Sequence, residues 1–435
     1  MENYIESGIT WIGKIPSEWK INKIKAMASL SGRIGWQGLT SEEYTDEGAY
    51  LITGVDFENG VINWDSCVHI PIKRWKEAVG VQIKENDLLI TKDGTVGKVA
   101  LAKNMPYETS LNSGVLLIRP DKEFDNKFLF YVLRSDVFWT WFNLDNSGNS
   151  TITHLYQHNF NNFSFAHPNL KEQIRIVAFL DDKVSNIESI INEYKQQNII
   201  LKKYKRSLIK ECVTCGIRKN YKIIKTGNKY IPEIPEEWKL MRLKYLADIK
   251  TGNTPSMDHE EYYSADDGID WIKADNLFYE QPISDSEQKL TKKGIKYGRI
   301  AKKHSIIVCC IGSIGKYGCL EKDSAFNQQL NAVYFNDKIM NYRFGMYAID
   351  SQEEQHINIA NPNVLLIINN LQHGSVVLPV PSLHEQEEIA NYLDEKCKKI
   401  NENIQNNEKR IERLEAYKKS LIYEYVTGKK RVEVK

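Results

Sequence analysis

Two stretches of the sequence set a lysine directly after a glycine-framed turn, Gly94-Thr95-Val96-Gly97-Lys98 and Gly312-Ser313-Ile314-Gly315-Lys316. A phosphate-cradling nucleotide loop needs four residues between its glycines and Ser or Thr after the Lys. Both stretches have two, and Lys316 is followed by Tyr317, so nucleotide binding is not expected. Asn361-Pro362-Asn363-Val364 comes near the Asn-Pro-Pro-aromatic motif of amino-methyltransferases, but lacks the second Pro and the aromatic that stacks on a flipped base. Nor does a Gly-rich cofactor fingerprint precede it. The nine His form no HExxH, and no HxE followed by CxxC, so a zinc hydrolase or deaminase is unsupported. Cys212-Val213-Thr214-Cys215 is a lone CxxC without a second pair or a nearby His, which suits a structural role better than a metal or redox one. The recurrent Glu172-Gln173 and Glu385-Gln386 lie three and four residues after Asn169 and Ser382, and read as capping-box members at helix starts. No combination of these residues composes an active site, so the chain is not expected to be an enzyme.

The elements that carry these residues occur twice. From Leu170 the sequence runs LKEQIRIVAFLDDKV and from Leu383 it runs LHEQEEIANYLDEKC. Further along, Tyr204, Ser207-Leu208 and Val213-Thr214 return as Tyr417, Ser420-Leu421 and Val426-Thr427. This is an internal repeat. Steps of four and three from Leu180 give Val184, Ile187, Ile191, Tyr194, Asn198, Leu201, Lys205, Leu208 and Cys212. From Leu393 they give Cys397, Ile400, Ile404, Asn407, Ile411, Leu414, Lys418, Leu421 and Tyr425. Such a period selects long helices that bury one stripe against a partner, and each helix is the obvious partner of the other. A parallel pairing leaves Asn198 and Asn407 against apolar neighbours. In an antiparallel pairing Asn198 faces Asn407, Leu201 faces Ile404, Ile191 faces Leu414 and Val184 faces Leu421, so the two amides can bond and set the register. The alternative is that both Asn sit at frayed seam edges.

The globular parts repeat as well. Ile15-Pro16-Ser17-Glu18-Trp19-Lys20 returns as Ile234-Pro235-Glu236-Glu237-Trp238-Lys239, and the apolar runs before the two Gly-x-x-Gly-Lys turns read as buried strands. Gly94, Gly97, Gly312 and Gly315 are expected to supply positive φ or close backbone approach. Extended segments are expected over Ala49 to Val55 and Val115 to Arg119, and helices over Asp125 to Phe142 and Asn341 to Gln355. The plan is globular, long helix, globular, long helix. Mixed α/β domains are expected over residues 1–168 and 221–381, with spacer helices over 169–220 and 382–435.

Composition sets bounds on partners. With 435 residues two to four domains are expected, and a 42% hydrophobic content is ample for real cores. A net charge of +1 means that any nucleic-acid surface must be local. The opening MENYIESG is acidic and polar, which does not suit a signal peptide, and no apolar run reaches the ~18 residues that span a bilayer. Seven Cys, an odd number with Cys309 and Cys310 adjacent, suit a reducing cytoplasm.

Taken together, the two IP-x-EW-K openings, the two Gly-x-x-Gly-Lys turns, the Pro-x-Leu-x-Glu-Gln helix starts after Pro168 and Pro381, and the twin long helices resemble the specificity subunit of Type I restriction-modification systems. The resemblance covers nearly the whole chain. It implies two α/β target-recognition domains separated by two long antiparallel coiled-coil helices, in a pseudo-twofold internal repeat. It further implies that each domain reads one half of a split, asymmetric double-stranded DNA target, while the helices fix the gap and bind two modification (methyltransferase) subunits. S-adenosylmethionine and the adenine-flipping chemistry then belong to those partners, and restriction (translocase-nuclease) subunits complete the assembly. The seam from Leu180 to Cys212 is on the order of 50 Å long, roughly one and a half turns of DNA, which is an upper limit on the half-site separation.

Phosphate contacts are expected from Lys and Arg near turns, and base reading from polar side chains that reach groove edges. In the first domain these are Arg33, Trp36, Gln37, Lys92, Lys98, Asn149, Ser150, Thr151 and His154. In the second they are Asn253, Thr254, Lys273, Lys316, Gln328, Gln329, Asn361 and Asn363. Lys202, Lys203, Lys205 and Arg206 either track a phosphate strand or form a solvated helix face. Two other classes stay open at this point: a tandem-repeat adaptor that binds protein alone, and a divergent DNA methyltransferase or nuclease.

Overall fold

The computed structural model describes residues 3–33, 39–146, 154–277, 282–360 and 366–432. The chain divides into two compact units, Met1–Tyr194 with Glu408–Lys435, and Lys195–Asn407. In the first unit a six-stranded sheet runs in the order Ala28–Ser31, Val115–Pro120, Leu88–Thr91, Val99–Leu101, Val61–Ile62, Phe57–Glu58. Its central strand Leu88–Thr91 is buried throughout, with Ile90 set between Leu116 and Val99. A three-stranded sheet of Thr109–Leu111, Ala49–Ile52 and Val68–Ile70 lies beside it, its first two strands parallel.

The second unit repeats this order with different residues. Ala247–Thr251, Leu330–Phe335, Ile306–Cys309, Tyr317–Leu320 and Pro282–Ile283 form one sheet. The other contains the parallel pair Ile269–Ile272 and Ser324–Phe326. The two runs that precede the Gly-x-x-Gly-Lys turns are therefore the middle strands of equivalent sheets. Their continuous apolar sequence is what a strand buried on both faces requires.

Each sheet is covered by short helices. Asp125 caps Asn126–Arg134 by accepting from Phe128 N at 2.9 Å, and Asn341 caps Tyr342–Asp350 by accepting from Arg343 N at 2.9 Å. Each is followed by a second helix, Asp136–Asp145 or Glu353–Ile359, rather than continuing through as expected from the sequence. The first break has a local cause. Ser135 is buried, donates to Val132 O at 2.7 Å and accepts from Val137 N at 3.3 Å, so its hydroxyl ends one helix and caps the next.

The long helices span Leu170–Cys215 and Leu383–Val426. In the first unit Leu180, Val184, Ile187 and Ile191 share one core with Leu421, Ile422 and Val426, and with Phe128, Phe138 and Phe163 of the globular part. In the second, Leu208 and Cys212 share a core with Leu393, Cys397, Ile400, Ile404 and Phe344. The helix segments run antiparallel within each unit. Phe179 meets Tyr425 with ring centroids 4.5 Å apart, and Lys418 Nζ reaches Glu188 at 3.1 Å. Lys205 Nζ donates to Asn401 at 2.8 Å, and Asn407 Nδ2 donates to Asn198 Oδ1 at 2.9 Å. Both of these Asn are buried, not frayed.

The Glu-Gln pairs begin the long helices as expected, but their side chains bond elsewhere instead of completing capping boxes. Asn169 Oδ1 accepts from Glu172 N at 3.1 Å, which is half of a capping box. The other half is absent, because the Glu172 carboxylate takes Arg431 Nη2 at 2.8 Å. Glu385 likewise accepts from Trp238 Nε1 at 3.0 Å and from the Tyr221 hydroxyl. Gln173 Oε1 accepts from Asp125 N at 2.9 Å, and Gln386 Oε1 from Asn341 N at 2.7 Å. Each Gln thus fixes the N-terminus of a short helix to the start of a long one. Among the described residues, no helix is long and apolar enough to cross a membrane.

Candidate nucleic-acid interface

In both units the glycine turns adopt the conformation their sequence demands. Gly94 and Gly97 have φ of 70° and 82°, Gly312 and Gly315 of 79° and 80°. A side chain at Gly97 would also strike Trp139, its Cβ lying 2.4 Å from the ring. The turn directs its lysine to the same place in each copy. Lys98 Nζ donates to Gly54 O at 3.4 Å, and Lys316 Nζ to Ala274 O at 3.3 Å.

In the first unit, three expected contact residues gather on this turn. Lys92 N donates to Gly114 O at 2.8 Å, and Lys92 O accepts from Leu155 N at 2.9 Å. That second bond draws in His154, whose Nδ1 hydrogen-bonds Asp93 Oδ1 at 2.7 Å. Lys98 is exposed, while Lys92 and His154 are half-buried.

Arg33 does not join them. It is 2% exposed, and its Nε and Nη2 donate to Leu111 O at 2.6 Å and Ser110 Oγ at 2.9 Å. Burial, with Arg74 nearby, holds its pKa below the usual guanidinium range. A guanidinium enclosed in this way braces Thr109–Leu111 and cannot enter a DNA groove, so Arg33 is withdrawn from the interface. Trp36, Gln37, Asn149, Ser150 and Thr151 lie outside the described residues.

In the second unit six expected residues come together where the parallel strands Ile269–Ile272 and Ser324–Phe326 end. Asn327 N donates to Ile272 O at 3.0 Å, which places Gln328 and Gln329 beside Lys273. Thr254 Oγ1 donates to Gln328 Oε1, and Gln329 O accepts from Cys310 N at 2.9 Å, one strand from the Lys316 turn. Asn253 is occupied internally, accepting from Arg299 N at 2.6 Å and donating to Tyr297 O. Lys273 Nζ lies 4.7 Å over the Trp271 ring and donates to Gln288 Oε1 at 2.6 Å. These three residues, with Tyr263, Asp275, Asn276 and Glu287, line a cleft of about 540 Å³. Asn361 and Asn363 lie outside the described residues.

One feature of the site went unread in the sequence. Thr53-Gly54-Val55-Asp56 and Lys273-Ala274-Asp275-Asn276 are the same turn. Asp56 Oδ2 accepts from Thr53 N at 2.7 Å, and Asn276 Oδ1 from Lys273 N at 2.9 Å. The available signal was an Asx residue four positions beyond the end of a buried strand, repeated in both copies.

The thiols of Cys309 and Cys310 beside the Lys316 turn are both pushed up by burial, so neither offers a thiolate. Cys212 of the CxxC is buried, and burial pushes it up to about 11. Among the described residues, no group of three or more His, Cys, Asp or Glu could hold a metal ion.

The family model for the Type I restriction modification DNA specificity domain matches twice, over residues 16–199 and 235–415. The chain is 23% identical to a putative Type I restriction enzyme MjaX specificity subunit of Methanocaldococcus jannaschii, covering 98% of this chain and 96% of that one. It is 26% identical to the MjaVIII specificity subunit of the same organism, covering 81% and 80%. Its fold is similar to that of a chain from a Type I restriction-modification complex, with a TM-score of 0.72 at 15% identity, over 95% of this chain and 98% of that one. The crystal structure of the HsdS subunit from Thermoanaerobacter tengcongensis matches at a TM-score of 0.50 and 14% identity, over 95% and 98%. With both copies of the repeat matched and the strand order duplicated, the chain belongs to the family of Type I restriction modification DNA specificity domains.

Proposed function

We propose that this chain is the DNA-reading subunit of a Type I restriction-modification assembly, and that its two globular parts, residues 1–168 and 221–381, each read one half of a split, asymmetric target. The observation that carries this reading is the duplicated turn. One backbone frame, with its lysine bonded to the equivalent carbonyl, is dressed with different side chains in the two units. A constant frame with variable dressing suits two readers of unlike sequences. Lys92, Lys98 and His154 serve the first half-site, and Lys273, Lys316, Gln328, Gln329 and Thr254 the second. The spacer segments 169–220 and 382–435 set the gap, because paired helices are stiff where a Gly-Ser tether is not. Half-site separation then follows the separation of the readers.

The catalytic steps belong to partners in this reading. Two modification subunits dock on the spacer and bring S-adenosylmethionine, and restriction subunits join them. The work is done in the cytoplasm, where the host DNA lies.

The test is DNA retention by this chain together with its modification subunit, measured between 50 and 200 mM salt. Lys98→Ala and Lys316→Ala should each lower the salt slope by about one, with little change in sequence preference. A protein-only adaptor would retain no DNA at any salt, and a methyltransferase would bind S-adenosylmethionine as the isolated chain.

A further inference from the structure

The duplicated turn holds its tip residue with unusual care. In the first unit Asp56 is fully buried and accepts from Thr53 N at 2.7 Å, Thr53 Oγ1 at 2.9 Å and Ser66 Oγ at 2.7 Å. Gly54 O, at the crest, receives Lys98 Nζ at 3.4 Å and Thr95 Oγ1 at 3.5 Å from the neighbouring glycine turn. The residue between them, Val55, is 80% exposed. In the second unit Asn276 and Lys316 make the matching bonds to Lys273 N and Ala274 O, and the residue between is the exposed Asp275.

A single apolar side chain on a surface is ordinary. A valine lifted clear of the surface by a braced turn, next to lysines suited to phosphate, is not placed there by packing. An aspartate at the equivalent tip is placed against charge, since the phosphates of bound DNA repel it. A carboxylate at such a tip is an acceptor matched to a base donor. In the major groove, cytosine offers its N4 amino group as that donor, and thymine offers its C5-methyl group to an apolar contact. A pre-braced tip enters the groove with little ordering cost.

On the DNA-reading function proposed above, we infer that Val55 and Asp275 are specificity-determining residues of the two half-sites, Val55 reading a thymine methyl group and Asp275 accepting from a cytosine N4 amino group. The experiment uses the complex of this chain with its modification subunit. The methylated motif written by the wild-type complex in a host is determined first. Thymines of the first half-site are then replaced singly by deoxyuridine, which removes only the methyl group. At one position wild-type affinity should fall about fivefold or more, while the Val55→Asn complex, which has no methyl group to offer, binds both duplexes alike. Asp275→Ala should relax a cytosine requirement at one position of the second half-site and leave the first half-site and the gap intact. Equal binding of every deoxyuridine duplex by the wild-type complex overturns the role of Val55. An unchanged motif from Asp275→Ala, or a second half-site without cytosine on either strand, overturns that of Asp275. Absence of any bipartite wild-type motif instead removes the DNA reading itself, so the two failures are told apart.

Discussion

Arg33 and Lys98 show how differently two basic residues beside glycines can be used. Both sequences advertise a cation at a turn, and only burial separates them. Arg33 spends its donors on Leu111 O and Ser110 Oγ inside the protein, whereas Lys98 is exposed. Replacing Arg33 with Met should cost about 2–4 kcal/mol of stability, because two buried acceptors lose their donors. The denaturant midpoint reads this loss, and the salt slope of DNA binding by the folded protein should not move. His356 and His373 give a second prediction. Both are buried, their rings 5.3 Å apart, with His356 Nδ1 on Gln352 O at 2.8 Å and His373 Nδ1 taking Asn331 Nδ2 at 3.2 Å. Burial lowers the pKa of each, and of His373 well below the ordinary value, with His356 adding to the effect. A depressed histidine leaves the unfolded chain binding more protons, so stability is full above the unfolded pKa of about 6.5 and falls as pH drops below it. The melting temperature should decrease from pH 7.5 to 5.5, and His373→Phe should flatten that decrease; a pH-independent wild-type melt would contradict it. The sequence gives no sign of this pair, because two His far apart in the chain reveal burial only once the fold brings them together.

The long helices were the most legible elements, since a period sustained over four heptads leaves little choice of structure. Direction was legible too, through two amides that each needed a polar neighbour. Asn407 Nδ2 donates to Asn198 Oδ1 at 2.9 Å, and a weaker bond at 3.4 Å reaches Gln197 Oε1. Asn407→Leu alone strands a buried amide and should cost about 1–3 kcal/mol, read from the denaturant midpoint. Asn198→Ile with Asn407→Ile removes both amides, so folding should persist while the helix register relaxes. The readout is the gap in the methylated motif, which should broaden; a gap as sharp as wild type would count against the amides as a register lock. The shorter elements were harder. One helix was expected over 125–142, but a single buried hydroxyl at Ser135 splits it, and propensity carries no trace of where that hydroxyl points. The Glu-Gln pairs were placed correctly at helix starts. Their bonds to Arg431, Trp238, Asp125 and Asn341 depend on segments distant in sequence.

At the scale of the molecule, duplication was visible because the order of landmarks repeats: opening motif, glycine turn, helix start, seam. What the sequence hid was the equivalence of Thr53–Asp56 with 273–276, where only an Asx at the fourth position is shared in kind. Two units of one strand order and unlike surface residues should behave as separable readers. Replacing residues 49–168 with the counterpart from a relative should therefore change one half of the target and leave the other half and the gap as they were, as read by methylation sequencing. A change in both halves would show that the readers are not independent. The most direct test of the whole account is to sequence the methylated adenines in a host that carries this chain with its modification subunit. The prediction is a single split motif with two unlike halves and a fixed number of unread bases between them. A palindromic or uninterrupted motif, or no methylation dependent on this chain, would contradict it.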